Sequence, residues 1–306
     1  MFLSIFSRIG IIFIVLLVGI LARRCRVLTK ETTDGLCRIA IEVTLPFLYF
    51  YTLSTSLNRQ LFFSILTLPL FAIVLTFASF LLSWLVSFRL KLTSQQRRSF
   101  MFLVTFPNYG FLAIPLVFAL FGQEGLVRVF VFNLGITFLY WTLGVGILGG
   151  AAKGFRIFKS LANSAMAALI LGLIVGITSF RLPQFILETS KLIGDATIPL
   201  ALIVVGSILA QRDSRKPVPF KAVSTLVFCR LLLMPALAIL FINVFDGLPR
   251  MLAVIIVLQA AMPSASTTPI LTKRFGGDTE LAASGVFFTT LFSIITVPLF
   301  ITLALR

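Results

Sequence analysis

Two stretches of this chain combine helix-breaking residues with polar side chains inside otherwise apolar sequence. The first is Phe106-Pro107-Asn108-Tyr109-Gly110-Phe111-Leu112-Ala113-Ile114-Pro115, within a run from Ser99 to Gln123 that carries no charge. The second is Met262-Pro263-Ser264-Ala265-Ser266-Thr267-Thr268-Pro269, within the uncharged run Met251 to Thr272. Proline lacks an N–H and clashes with the preceding turn, so Pro107, Pro115, Pro263 and Pro269, with Gly110, mark breaks in any helix formed here. In hydrocarbon the freed backbone groups need partners, which confines such breaks to the protein interior or the wall of a watery cavity. A break exposes N–H ends of one half-helix and C=O ends of the other. The N-terminal end carries roughly +0.5 charge, so it holds an anion without a buried lysine or arginine. Asn108 adds an amide that donates to a carboxylate and accepts elsewhere. Tyr109, Ser264, Ser266 and Thr267 add polar groups to the same breaks. The plainer reading is a pair of kinks whose hydroxyls bond back to their own turns. Two interrupted segments at matching places in two halves favour a transporter's binding site instead.

A second constellation carries charge. Arg38 and Glu42, followed by Thr44 and Pro46, recur as Lys191 and Asp195, followed by Thr197 and Pro199, in identical register 153 residues later. Each basic–acidic pair has i,i+4 spacing on a helix. Charges inside a span cost on the order of 2.5–3.5 kcal/mol each at its centre, so they pair or face water. The plainer reading is self-neutralising pairs. The sharper one makes Glu42 or Asp195 a coupling site for a proton or sodium, with Thr44 and Thr197 lining the same surface. Arg230 stands alone in its apolar run. The favoured expectation is that it snorkels to the cytoplasmic surface; the alternative is a cation offered to an anionic substrate.

The elements that position these residues follow from the totals. The chain has 306 residues, 59% of them hydrophobic and 12% charged, with a mean hydropathy of +1.09. Soluble domains are about 45–50% apolar and about 25% charged, and no long polar block is present here. This is an all-α polytopic membrane protein. The net charge of +16 lies in short loops between apolar runs, the topology signal of membrane proteins and not a nucleic-acid footprint. The three cysteines, Cys25, Cys37 and Cys229, form no metal-ligand spacing, and there is no histidine. No cofactor or metal site is expected, and an intramembrane enzyme is disfavoured, since it would need clustered acids or histidines. Arg23-Arg24-Cys25-Arg26 follows the first apolar run, the reverse of a cleaved signal peptide, so a retained first helix is expected.

Ten spans emerge from runs of about 20 apolar residues: 4–22, 33–56, 61–87, 99–121, 127–149, 161–179, 184–210, 220–244, 251–273 and 281–304. The first, third, fifth and seventh connections carry most of the basic residues, including Arg89, Lys91, Arg97, Arg98, Lys153, Arg156, Lys159, Arg212, Arg215 and Lys216; the intervening ones carry Arg59, Arg128, Arg181 and Arg250. Basic short loops stay cytoplasmic, which places both termini outside. Five spans per half then require the second copy to be inverted: 1–150 and 151–306 are the expected repeats. Gly172 and Gly176 have the spacing for close helix approach, either to a neighbour in the fold or to a second copy in a homodimer.

The stretch from Pro107 to Leu116, ending in Phe121-Gly122, resembles the fourth helix of the auxin efflux carrier family. Ala261-Met262-Pro263-Ser264, Pro269, Lys273-Arg274-Phe275-Gly276-Gly277-Asp278, Ser284-Gly285-Val286 and Pro298-Leu299 resemble that family's last two helices. Thr44-Leu45-Pro46-Phe47 is similar to its second. The resemblance implies a five-plus-five inverted repeat in which helices 4 and 9 cross near the midplane. It implies a scaffold of helices 1, 2, 6 and 7, and a mobile domain of helices 3–5 and 8–10 that moves as an elevator. It implies a small organic anion as substrate: auxin in plant members, dicarboxylates such as malate or malonate in bacterial ones. The substrate-contacting asparagine carries over to Asn108 and the second polar position to Ser264, where plant members have a larger group; that difference speaks against auxin itself. The short basic stretch 150–160 is similar to bacterial members, which implies a bacterial inner membrane. A sodium-coupled bile-acid-like symporter or a cation/proton antiporter of the same architecture is the alternative.

Overall fold

The computed structural model describes residues 2–149, 163–211, 219–245 and 247–305. The described elements are helices. In chain order they are α1 (Phe2–Arg24), α2 (Lys30–Ile39), α3 (Leu45–Ser56), α4 (Arg59–Ile65), α5 (Leu68–Ser87), α6 (Ser94–Thr105), α7 (Ala113–Leu139) and α8 (Val145–Ile147). Then come α9 (Ser164–Thr178), α10 (Gln184–Asp195), α11 (Thr197–Leu209), α12 (Phe220–Phe228), α13 (Met234–Ile242), α14 (Arg250–Ala261), α15 (Thr268–Phe275) and α16 (Thr279–Ala304). The expected repeat boundary at 150/151 lies outside the described residues, as do Lys153, Arg156, Lys159, Arg212, Arg215 and Lys216.

Among the described residues, seven helical stretches are long and apolar enough to cross a bilayer: Phe6–Arg24, Lys30–Ser56, Arg59–Ser87, Ala113–Ile147, Gln184–Leu209, Phe220–Ile242 and Thr279–Ala304. Four of the ten expected spans are not separate full-length helices among these. The run 99–121 divides between α6 and α7, and 251–273 between α14 and α15, because the two proline-bearing stretches are unwound. The expected span 127–149 is continuous with the second half of the fourth, through Gly122 at φ 60 and ψ −150. That backbone conformation is open to glycine and strained for other residues. The run 161–179 appears as the 15-residue helix α9. The surface is what a lipid solvent selects: Ile14, Leu70, Leu240 and Ile295 are each more than 60% exposed.

Local chemistry sets the boundaries. Thr29, Asn58, Asn163 and Asp278 accept the backbone N–H of Thr32, Leu61, Met166 and Leu281 at the starts of α2, α4, α9 and α16, and Thr93 with Gln96 forms a reciprocal cap on α6. Such caps satisfy donors that the helix leaves open. A wide π-helical turn over Ala40–Thr44 joins α2 to α3 just ahead of Pro46. The Glu42 carbonyl, which Pro46 has no N–H to bond, accepts from Ser164 Oγ at 3.0 Å. A second π turn, Cys229–Leu233, precedes Pro235 between α12 and α13.

Packing pairs α1 with α11 and α3 with α9. The first pair closes on Gly19 and Gly206: a Cβ on Gly206 would overlap the Leu16 carbonyl oxygen, and one on Gly19 the Ile203 carbonyl oxygen. In the second pair Gly172 and Gly176 lie against Phe50, Leu53 and Leu57, so the Gly-xxx-Gly spacing serves a neighbour within the fold. Elsewhere α5 lies along α6 and α7, while α16 contacts α6, α12, α14 and α15. These helices hold the two unwound stretches between them.

Candidate functional site

The two unwound stretches cross and pair as a single antiparallel bridge between Pro107 and Ser264. The N–H of Asn108 donates to the carbonyl of Pro263 at 2.7 Å, and the N–H of Ala265 to the carbonyl of Phe106 at 3.0 Å. Each break thus supplies the partners the other has lost, which is how a helix interrupted in hydrocarbon stays satisfied. The Ser264 hydroxyl donates to the Leu103 carbonyl at 2.8 Å, and its backbone N–H to Thr289 Oγ1 at 3.2 Å. Ser264 is fully buried in these contacts.

Beyond the bridge, each chain turns into a new helix. Asn108 Oδ1 accepts the N–H of Leu112 at 3.3 Å, within the turn that leads into α7. Its Nδ2 is buried and meets no protein acceptor; neither does the buried hydroxyl of Ser266. The N–H groups of Gly110, Phe111, Ser266 and Thr267 also meet no protein acceptor among the described residues. A buried donor without an acceptor costs about 1–3 kcal/mol, and the two buried side-chain donors here are Asn108 Nδ2 and Ser266 Oγ. Pro115 lies in the first turn of α7 and Pro269 in that of α15, where a missing N–H is not needed. The set Pro107, Asn108, Tyr109, Gly110, Pro263, Ser264, Ser266 and Thr267 is therefore one cluster, although its two halves are far apart in sequence.

The structure corrects the expectation for Arg230. It does not snorkel: it is 1% exposed. Its Nε donates to the Met262 carbonyl at 2.9 Å and its Nη1 to the Val104 carbonyl at 3.1 Å. Its Nη2 donates to the carbonyls of Ala260 at 2.7 Å and Gln259 at 3.4 Å. Arg230 lies in the π turn 229–233, and its guanidinium sits against the C-terminal ends of α6 and α14.

Sequence reasoning passed over a chain of amides behind the crossing. Gln259 Nε2 donates to Asn133 Oδ1 at 3.1 Å, and Asn133 Nδ2 donates to the Tyr109 carbonyl at 3.1 Å. Both side chains are buried. The signal was available, since an Asn or Gln inside an apolar span needs a partner. Tyr140 was also passed over; its hydroxyl is 2.7 Å from Thr267 Oγ1, and its ring packs edge-on to Phe106 and Tyr109.

The charged pairs lie elsewhere. Arg38 bonds Glu42 at 3.0 Å and Lys191 bonds Asp195 at 2.7 Å, all four side chains being about half or more exposed. They are not brought into the crossing. Thr44 bonds back to the Ala40 carbonyl at 3.2 Å. Thr197 comes closer: its buried hydroxyl has no partner, and it lines an apolar cavity of about 40 Å³ with Ile41, Leu45, Gly110, Phe111 and Pro115. That cavity lies where the α2–α3 and α10–α11 rods face the first break. No cluster of His, Cys, Asp or Glu suited to a metal occurs among the described residues.

A family described as membrane transport protein matches residues 4–160 and 151–301 of this chain. An uncharacterized transporter of Methanothermobacter thermautotrophicus is 31% identical over 299 residues, 94% of this chain and 94% of its own length. Another, from Methanocaldococcus jannaschii, is 28% identical over 298 residues, 94% of this chain and 95% of its own. Protein PIN-LIKES 6 of Arabidopsis thaliana is 25% identical over 151 residues, 44% of this chain and 35% of its own.

Proposed function

We propose that this chain, which belongs to the auxin efflux carrier family of membrane transport proteins, is a secondary active transporter of a small organic anion, a mono- or dicarboxylate. The observation that carries this reading is the crossing itself. Two broken helices present buried donors without protein acceptors, Asn108 Nδ2 and Ser266 Oγ, beside the N-terminal ends of α7 and α15. Oriented N–H groups with no carboxylate nearby favour an anion. Residues 106–115 and 262–269 contain no Asp or Glu, which weighs against a cation/proton antiporter.

In this reading ten spans form two five-helix repeats of opposite orientation, with both termini outside the cell membrane. The α1–α11 and α3–α9 pairings support it, because a repeat that exchanges helix 1 with 6 and helix 2 with 7 converts one pairing into the other. Helices 1, 2, 6 and 7 serve as the scaffold, and helices 3–5 and 8–10 carry the crossing from one membrane face to the other. The substrate contacts are Asn108, Tyr109, Ser264, Ser266 and Thr267. Glu42 and Asp195, with Thr44 and Thr197, are the candidate groups for a coupling proton or sodium.

The test is uptake of radiolabelled malonate, malate and indole acetate into proteoliposomes under sodium, proton and potential gradients. Movement of one of them, with a thermal shift by the same acid, is the expected result. If none moves under any gradient, the substrate class is wrong.

A further inference from the structure

The crossing contains a cation of its own. Arg230 is buried, it forms no ion pair among the described residues, and its guanidinium reaches carbonyls at the ends of both broken helices. A helix C-terminus carries about −0.5 charge, so two such ends meeting in hydrocarbon present about one negative charge. Left alone, these ends would repel each other and the anion that the neighbouring N-terminal ends attract. One planar guanidinium, with five donors in a fixed fork and a weak hydration shell, matches this arrangement; an ammonium has three donors around a point and is more strongly hydrated.

The bonds are distributed accordingly. From α6 the Val104 carbonyl goes to Arg230, while Leu103 and Phe106 go to Ser264 Oγ and Ala265 N. From α14 and the residues after it, the Gln259, Ala260 and Met262 carbonyls go to Arg230, and Pro263 goes to Asn108 N. Arg230 arrives from a third element, between α12 and α13, and its hydrogen bonds go to neither Asn108 nor Ser266.

We propose that Arg230 is a positioning residue for the site: a tethered counter-cation that clamps the C-terminal ends of α6 and α14 together and so fixes the register of Asn108 against Pro263. The proposal rests on the crossing being the substrate site, but the register it explains is measurable without a substrate.

The experiment is hydrogen exchange on the full-length protein in nanodiscs, comparing peptides covering 104–109 and 260–266 with peptides from α1. In Arg230→Ala we expect at least ten-fold faster exchange at Asn108 and Ala265, little change in α1, and partial restoration by millimolar guanidinium but not by equal sodium. Arg230→Lys keeps the charge without the fork, and an intermediate acceleration is expected; it also serves if the alanine variant does not fold. Folded Arg230→Ala or Arg230→Lys with wild-type exchange at both amides overturns the proposal. Equal rescue by sodium and guanidinium overturns the role of the fork. Loss of malonate, malate and indole acetate uptake in the wild type, with these exchange results intact, would sink the substrate assignment alone.

Discussion

Asn108 and Pro263 are joined by a 2.7 Å backbone hydrogen bond although 155 residues separate them in the chain. The same asparagine accepts the Leu112 N–H through Oδ1 in the turn before α7 and keeps Nδ2 free of protein partners. Its two side-chain atoms are therefore in different situations, one bonded within the fold and one not.

Asn108→Asp tests the free donor. A carboxylate still accepts the Leu112 N–H. It replaces the free donor with a negative charge that repels an anion. The expected outcome is anion uptake reduced about 100-fold, roughly 2.7 kcal/mol, with a lower unfolding temperature as well, because the position is buried and burying a carboxylate costs stability. Uptake kinetics and thermal unfolding on the same preparation check it. Wild-type uptake in this variant would remove Asn108 from the site.

Gln259→Leu breaks the chain through Asn133 to the Tyr109 carbonyl. It removes the donor to Asn133 and leaves that buried oxygen unsatisfied, at a cost of about 1–3 kcal/mol. A lower unfolding temperature with weaker substrate affinity is expected, since Tyr109 loses its fixed position. Gln259→Glu, which also loses the Nε2 donor and adds a buried charge, should be worse.

Gly206→Ala tests the close approach of α1 and α11. The added methyl meets the Leu16 carbonyl, and neither backbone can yield without moving a whole helix. Overpacking of this kind costs about 1–3 kcal/mol. Thermal unfolding in detergent should register the loss, with Gly10→Ala, whose site is open, as the neutral comparison.

Asp195→Asn and Glu42→Gln address the exposed ion pairs. Pairs of this exposure contribute about 0–1 kcal/mol, so stability should hardly change. Glu42 and Asp195 are the candidate coupling groups, so neutralising them is expected to remove the sodium or pH dependence of uptake. A variant that expresses normally and keeps wild-type ion dependence would exclude that residue from coupling.

Much of this was legible in the sequence. Hydropathy gave the all-helical membrane class, since a lipid solvent selects apolar surface as well as apolar core. Pro107 and Pro263 marked the breaks, because proline's missing donor acts locally and needs no knowledge of neighbours. The polar residues beside them named the candidate site for the same reason. What local reasoning could not supply was the pairing across 155 residues, and with it the fate of Arg230. A lone arginine in an apolar run reads as a side chain escaping to water. Only the meeting of two helix ends creates a concentration of carbonyls strong enough to hold it inside. The same holds for Gln259 and Asn133, each awkward alone, whose bond to one another no local reading could supply. Composition and spacing decided that the chain lives in a bilayer and where its helices fail. The tertiary structure decided which failures face each other, because hydrogen bonds and helix-end charges between distant segments depend on distance in space and not on order along the chain.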